Sequence, residues 1–326
     1  MRFLKLVAAS TFLSSVFTMT AAAEPIELKF GHVGAPGSLF AVSAEEFAKR
    51  ANAKLGGKAK VVVFGSSQLG KDKELLQKLK LGTVDFALPS TVMSSESDRF
   101  GLFEMPYLVK DRQHMRRIEK ELLWSELAPS VEPKGIKIIA VWENGFRQIT
   151  NNVRPIKIPV DLKGIKLRTP KGEWRVKMFK AYGANPSPMS LSEVFTALQT
   201  GVMDGQENPL IQIYSQKFQE VQKYLSLSGH VYTPAYLTVG LKKWNTLPAD
   251  VRKVLEETAK ETQGFVYASA EKFDHELLEK MKVSGIQINE VDKQAFIDAS
   301  KPIYDQFGKQ VKGGKKLVDK AFALAK

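Results

Sequence analysis

The chain has 326 residues, of which 44% are hydrophobic, 25% charged and 10% aromatic, with a formal net charge of +13. That balance excludes a disordered, collagenous or membrane-embedded polypeptide, and the length suits two domains of ~100–200 residues each. Cysteine is absent, which excludes disulfide frameworks, thiolate metal centres and cysteine nucleophiles, and His32, His114, His230 and His275 are too scattered for a zinc motif.

Arg2 and Lys5 open a mostly apolar stretch over 6–17, and Ala21-Ala22-Ala23 supply the small residues of a cleavage site. Residues 1–23 therefore read as a cleaved secretory signal, since the apolar run is shorter than the ~20 residues a bilayer span needs. The mature chain is expected free in a periplasm. Its removal takes two basic residues and no acidic ones, leaving 46 Lys+Arg against 35 Asp+Glu, or +11. This favours an anionic ligand. Secretion and the dispersal of the basic residues count against nucleic acid, and the densest run, Lys312-Gly313-Gly314-Lys315-Lys316, reads as a solvated tail.

Ile26, Leu28 and Phe30 alternate with Glu27 and Lys29, which predicts a strand, and 43–55 carries apolar residues at helical spacing. The valine run over 60–64 suits a buried strand, 72–81 a helix closed by Gly82, and 84–88 another strand. Alternating strands and helices predict an α/β protein with mixed, mostly parallel sheets. The stretch 74–85 aligns with 193–204, matching Glu74 with Glu193, Leu79 with Leu198, Gly82 with Gly201 and Asp85 with Asp204. Two similarly built lobes are the favoured explanation. Ser190 and Glu193 have capping-box spacing.

Further strands are expected over 136–142, 165–168 (ended by Pro170) and 235–241, and a helix over 212–225. Residues 248–279 form an almost unbroken helical pattern, with Val251, Leu255, Thr258, Thr262 and Phe265 along one stripe. At 1.5 Å per residue it spans ~45 Å, long enough to run across both lobes.

No nucleophile elbow, P-loop or dinucleotide fingerprint is present. The loop 65–70 superficially resembles a phosphate cradle, but a strand-to-helix turn explains it better, with a helix-terminus anion site left open. Arg168 ends a strand, where a guanidinium suits a bidentate grip on a carboxylate; from pattern alone a surface salt bridge is the favoured explanation. Arg147, just past a predicted strand, is as ambiguous. Asn208 before Pro209 fits a helix N-cap as well as a site residue.

The motifs Ser66-Ser-Gln-Leu-Gly70, Gly145-Phe-Arg-Gln-Ile-Thr-Asn151, Asp161-Leu-Lys-Gly-Ile-Lys-Leu-Arg168 and Gly201-Val-Met-Asp-Gly-Gln-Glu-Asn-Pro209 occur in this order. Together they make the chain, from Ile26 to about Phe307, resemble the DctP-type substrate-binding proteins of tripartite ATP-independent periplasmic (TRAP) transporters. The resemblance implies a two-lobed periplasmic binding protein fold with a ligand cleft between the lobes and a long bridging helix. It places lobe I at 24–147 plus about 234–273, and lobe II at 148–233 plus about 274–326. It also implies that Arg168 pairs with a substrate carboxylate, aided by Arg147 and Asn208. Sialic-acid-binding members carry a glutamate and an arginine where Ser90 and Met93 stand here, so sialic acid is not expected. Ser90, Trp174, Tyr236, Phe40 and His32 are further candidates for the cleft wall, and Arg175 for a second acidic group. The expected ligand is a small organic acid: a C4-dicarboxylate, a 2-oxo or 2-hydroxy acid, or an aromatic carboxylate. The expected partners are the small and large TRAP membrane subunits, with the protein itself a monomer. No cofactor, metal or catalytic residue is expected; a secreted enzyme acting on a small acid and a ligand-binding partner of a sensor kinase are the alternatives.

Overall fold

The computed structural model describes residues 24–326, so the expected signal segment lies outside the described residues. The chain opens with a βαβαβ unit: β1 (Ile26–Gly31), α1 (Leu39–Leu55), β2 (Ala59–Phe64), α2 (Asp72–Leu81) and β3 (Phe86–Ala87). The three strands lie in the order β2-β1-β3, all parallel. Ser38 caps α1 by accepting the Ala41 N–H at 3.2 Å. The helix packs Leu39, Ala44, Phe47 and Ala51 inward. Phe30, Phe47, Phe86 and Trp142 form an aromatic nucleus with centroids 5.6–6.4 Å apart.

Helix α3 (Arg112–Ile118) runs into a π-helical stretch over Glu119–Leu127 and leads to β4 (Ile136–Asn151), a strand of 16 residues. A second βαβαβ unit follows: β5 (Lys166–Thr169), α4 (Glu173–Ala181), β6 (Asn185–Pro188), α5 (Val194–Gln199) and β7 (Gly205–Pro209). Its order, β6-β5-β7, is again parallel and repeats the first unit's. The aligned aspartates have the same job in each unit. Asp85 accepts the Lys29 N–H of β1 at 2.8 Å, and Asp204 accepts the Lys166 N–H of β5 at 2.8 Å. Their own N–H groups donate back to Lys29 O and Lys166 O at 3.0 and 2.9 Å. The repeat read from twelve residues therefore reports two units of one design.

Beyond these units come α6 (Leu210–Ser215), β8 (Tyr224–Leu227), β9 (Tyr232–Gly240), α7 (Leu241–Trp244), α8 (Ala249–Val283), β10 (Gln287–Glu290), α9 (Lys293–Gln310) and α10 (Gly314–Ala323). The early part of β4 pairs with β9, and its last five residues pair with β7. One strand thus belongs to both halves of the molecule. Helix α8, 35 residues long, is the second element of that reach, and Trp142 Nε1 of β4 donates to its Ala259 carbonyl at 3.0 Å. Among the described residues, no helix is long and apolar enough to cross a membrane.

Several expectations need correction. The strand predicted over 136–142 continues to Asn151, so Arg147 lies inside β4 rather than past its end. The polar residues Glu143, Asn144 and Arg147 hide that continuation in the sequence, because the partners that accompany their burial, Arg112, Thr233 and Glu207, lie far away in the chain. The helix predicted over 212–225 is only α6, which stops before Lys217 at φ 59° and gives way to β8. The valine run of β2 is half-buried on a sheet edge rather than enclosed. The parallel ladders are a narrow majority, since every pairing of β4 or β9 is antiparallel.

Candidate functional site

Strands β4, β7 and β5 lie side by side and bring Arg147, Asn208 and Arg168 together from distant parts of the sequence, with Gln148 opposite Asn208 and Arg168 opposite Gln206. Asn208 is the penultimate residue of β7 and does not cap a helix. Its Oδ1 accepts from Arg147 Nη2 at 3.0 Å, and its Nδ2 donates to Gln206 Oε1 at 2.6 Å.

Glu207 organises the charges beneath. Its carboxylate accepts from Arg147 Nε at 2.5 Å and Nη2 at 3.0 Å, from Arg175 Nη1 at 2.7 Å and from His230 Nε2 at 3.1 Å. Glu207, Arg175 and His230 are fully buried and Arg147 nearly so. Burial disfavours the charged carboxylate, but the guanidiniums of Arg147 and Arg175 outweigh it and hold Glu207 well below the usual carboxylate range. Burial also pushes His230 down, against the pull of Glu207. Sequence reasoning gave neither residue a role, although Glu207 lies inside a quoted motif. A charged residue between Gln206 and Asn208 in so short a strand was the available signal.

Arg168 differs from the other two arginines. Its Nε and Nη2 both donate to the Met189 carbonyl, at 3.0 and 2.5 Å, and among the described residues no carboxylate lies within salt-bridge distance. Burial, then the charge of Arg147, lowers it to about 10, with Glu207 and Asp72 pulling the other way. It is still a cation at neutral pH, 3% exposed and without a directly paired carboxylate among the described residues.

Arg168, Arg147 and Asn208 line one cleft, together with Phe40, Ser90, Thr91, Asp72, Asn144 and Gln212. Ser90 Oγ donates to Pro234 O at 2.6 Å and accepts from Asn144 Nδ2 at 3.4 Å. Asp72, which the sequence reading did not single out, is the first residue of α2 and is pushed up to about 6 by burial, with Arg168 opposing.

Four candidates lie elsewhere. Trp174 packs on Phe307 at 5.1 Å between centroids and against Gly101, with Lys177 Nζ 4.2 Å from its ring centre; it is buried between helices rather than in the cleft wall. Tyr236 stacks edge-on to Phe100 at 5.1 Å and lines, with Ser90 and Thr91, a separate small pocket. His32 is enclosed beside Phe30 and Gly65, accepting the Gly34 N–H at 3.2 Å. Arg175 lies behind Glu207, and its own N–H is held by Glu104 Oε2 at 3.0 Å. The loop 65–70 is a turn and not a phosphate cradle: the N–H groups of Ser66 and Ser67 donate to Gly34 O and His32 O.

Residues 30–310 match the family described as DctP, bacterial extracellular solute-binding protein, family 7. The chain is 34% identical to the C4-dicarboxylate-binding periplasmic protein DctP of Rhodobacter capsulatus over 95% of both chains. It superposes on a TRAP periplasmic solute-binding protein of Shewanella oneidensis with bound succinate with a TM-score of 0.88, 34% identity and 93% and 100% coverage. The sugar acid-binding protein DctPAm of Advenella mimigardefordensis, in complex with galactonate, gives a TM-score of 0.89 at 32% identity, with 93% and 98% coverage. With two units of one design, a strand and a helix common to both, and an arginine-lined cleft, the chain belongs to the DctP family of TRAP-transporter solute-binding proteins.

Proposed function

We propose that this protein captures a small organic acid in the cleft by pairing the ligand carboxylate with Arg168, and that it does so in the periplasm. The observation that carries this is a buried guanidinium with a carbonyl for a partner and, among the described residues, no carboxylate within salt-bridge distance. A carboxylate supplies the missing partner and accepts in the planar fork that arginine presents. Arg147 is fixed beside it by Glu207, and Asn208 is fixed by Arg147, so the polar groups are oriented before the ligand arrives. Lobes at 24–147 plus about 234–273 and at 148–233 plus about 274–326 close over the ligand, because contacts from both make the closed form the better binder. The closed form then hands its cargo to a small and a large membrane subunit. Glu207, held ionised far below neutrality, is a poor proton acceptor, which supports capture over catalysis.

Calorimetry with a panel of organic acids tests this. Arg168→Ala is expected to weaken binding by ~2–5 kcal/mol, mostly the cost of leaving the ligand's charge unpaired. Unchanged affinity removes Arg168 from the site.

A further inference from the structure

Resting on the reading of the cleft as an organic-acid site that closes on its ligand, we infer that Lys71 and Glu193 form a latch at its rim. They are positioning residues that touch no ligand but set how long one stays bound. Lys71 Nζ donates to Glu193 Oε1 at 2.8 Å. Among the described residues this is the only hydrogen bond or salt bridge that directly joins the two βαβαβ units, 26–87 and 166–209.

The pair grows out of the repeat. Glu74 and Glu193 are aligned positions, and each turns a carboxylate oxygen back to the N–H three residues earlier. Glu74 Oε2 accepts from Lys71 at 3.1 Å, and Glu193 Oε2 accepts from Ser190 at 3.2 Å. Lys71 and Ser190 are thus equivalent residues, one just before α2 and the other at the turn that leads into α5. In the first unit the residue is a lysine, long enough to reach the other unit's glutamate, whose second oxygen its own cap leaves free. The backbone bonds anchor both ends of the bridge. Residues beside them, Asp72 and Lys73 on one side and Ser190 and Leu191 on the other, line the cleft.

The side chains are 38% and 48% exposed, so the bridge forms and breaks at little desolvation cost and is weakened by salt. Each partner holds the other in its charged form, the contact raising the Lys71 ammonium and lowering the Glu193 carboxyl. A contact made only when the units approach favours the closed form. It must break before the acid leaves, and it is not yet made while the acid enters. Its loss therefore speeds release and leaves association alone. An exposed pair of this kind changes a rate about two- to fivefold.

Release of a radiolabelled acid into unlabelled excess tests the latch, using whichever of succinate, galactonate and erythronate binds wild-type protein tightest. Lys71→Gln and Glu193→Gln, the second of which keeps an acceptor for the Ser190 N–H, are each expected to speed release about two- to fivefold with the association rate unchanged. The double variant is expected to release no faster than either single one, and Lys71→Arg to restore slow release. Raising the salt to 0.5 M is expected to speed release more from wild-type protein than from the double variant. Unchanged release in both single variants, effects that multiply in the double variant, or a change confined to association overturns the latch while leaving organic-acid capture standing. If none of the acids binds wild-type protein, the organic-acid reading has failed and the latch with it.

Discussion

Individual side chains here take their properties from what encloses them. Glu207 and Asp72 are both carboxylates of the same region, yet the first is pulled far down by two touching guanidiniums and the second pushed up to about 6 by burial. A touching cation beats desolvation; a more distant one does not. His32 shows desolvation acting alone, lowering it to about 4. As pH falls below ~6.5, the unfolded chain takes up a proton that native His32 refuses, so stability is lost between pH ~6.5 and about 4 and is complete above that window. His32→Asn keeps an acceptor for the Gly34 N–H and cannot be protonated. Urea unfolding at pH 7.5 and pH 4.5 is expected to show the variant losing less stability than wild type over that interval, by about 2–3 kcal/mol. Identical losses remove His32 from the acid response.

At the scale of elements, the matched aspartates make the most direct test of the two-unit design. Each clips the loop after a helix to the strand beside it with a charge-assisted bond at 2.8 Å. Asp85→Ala and Asp204→Ala are each expected to cost ~1.5–3 kcal/mol in equilibrium unfolding. A loss in one variant and none in the other contradicts the equivalence. The elements that the sequence disclosed are those with simple periodicity: β1, α1, α2 and the long α8, whose Val251, Leu255, Thr258 and Thr262 are buried as the stripe requires. The far half of β4 was hidden because its charged and amide residues find partners only in distant parts of the chain, and Arg147 reads as a loop residue until β7 lies beside it. Arg168 was legible as a strand-end cation, but the absence of a directly paired carboxylate among the described residues, which makes it a binding group, is a fact of three dimensions. Trp174 misled for the converse reason: an aromatic near the anchoring arginine is equally an α4 residue that packs on α9.

For the whole molecule, binding and stability are one equilibrium. An organic acid that binds the cleft, held at 100-fold its dissociation constant, is expected to raise unfolding free energy by ~2.7 kcal/mol. Small-angle scattering is expected to report a smaller radius of gyration at the same time, and a liganded protein of unchanged dimensions contradicts closure. What couples the two is β4. Its pairing with β9 slips between Glu143 and Gly145, and Gly145 takes a φ of 120° that other residues resist. Asn144 sits at that irregularity and Arg147 just beyond it, and both line the cleft. Any flexure there changes the gap between the amide and the guanidinium along with the attitude of one half to the other. In the proposed closure, acids of different span are therefore expected to set different angles between the halves.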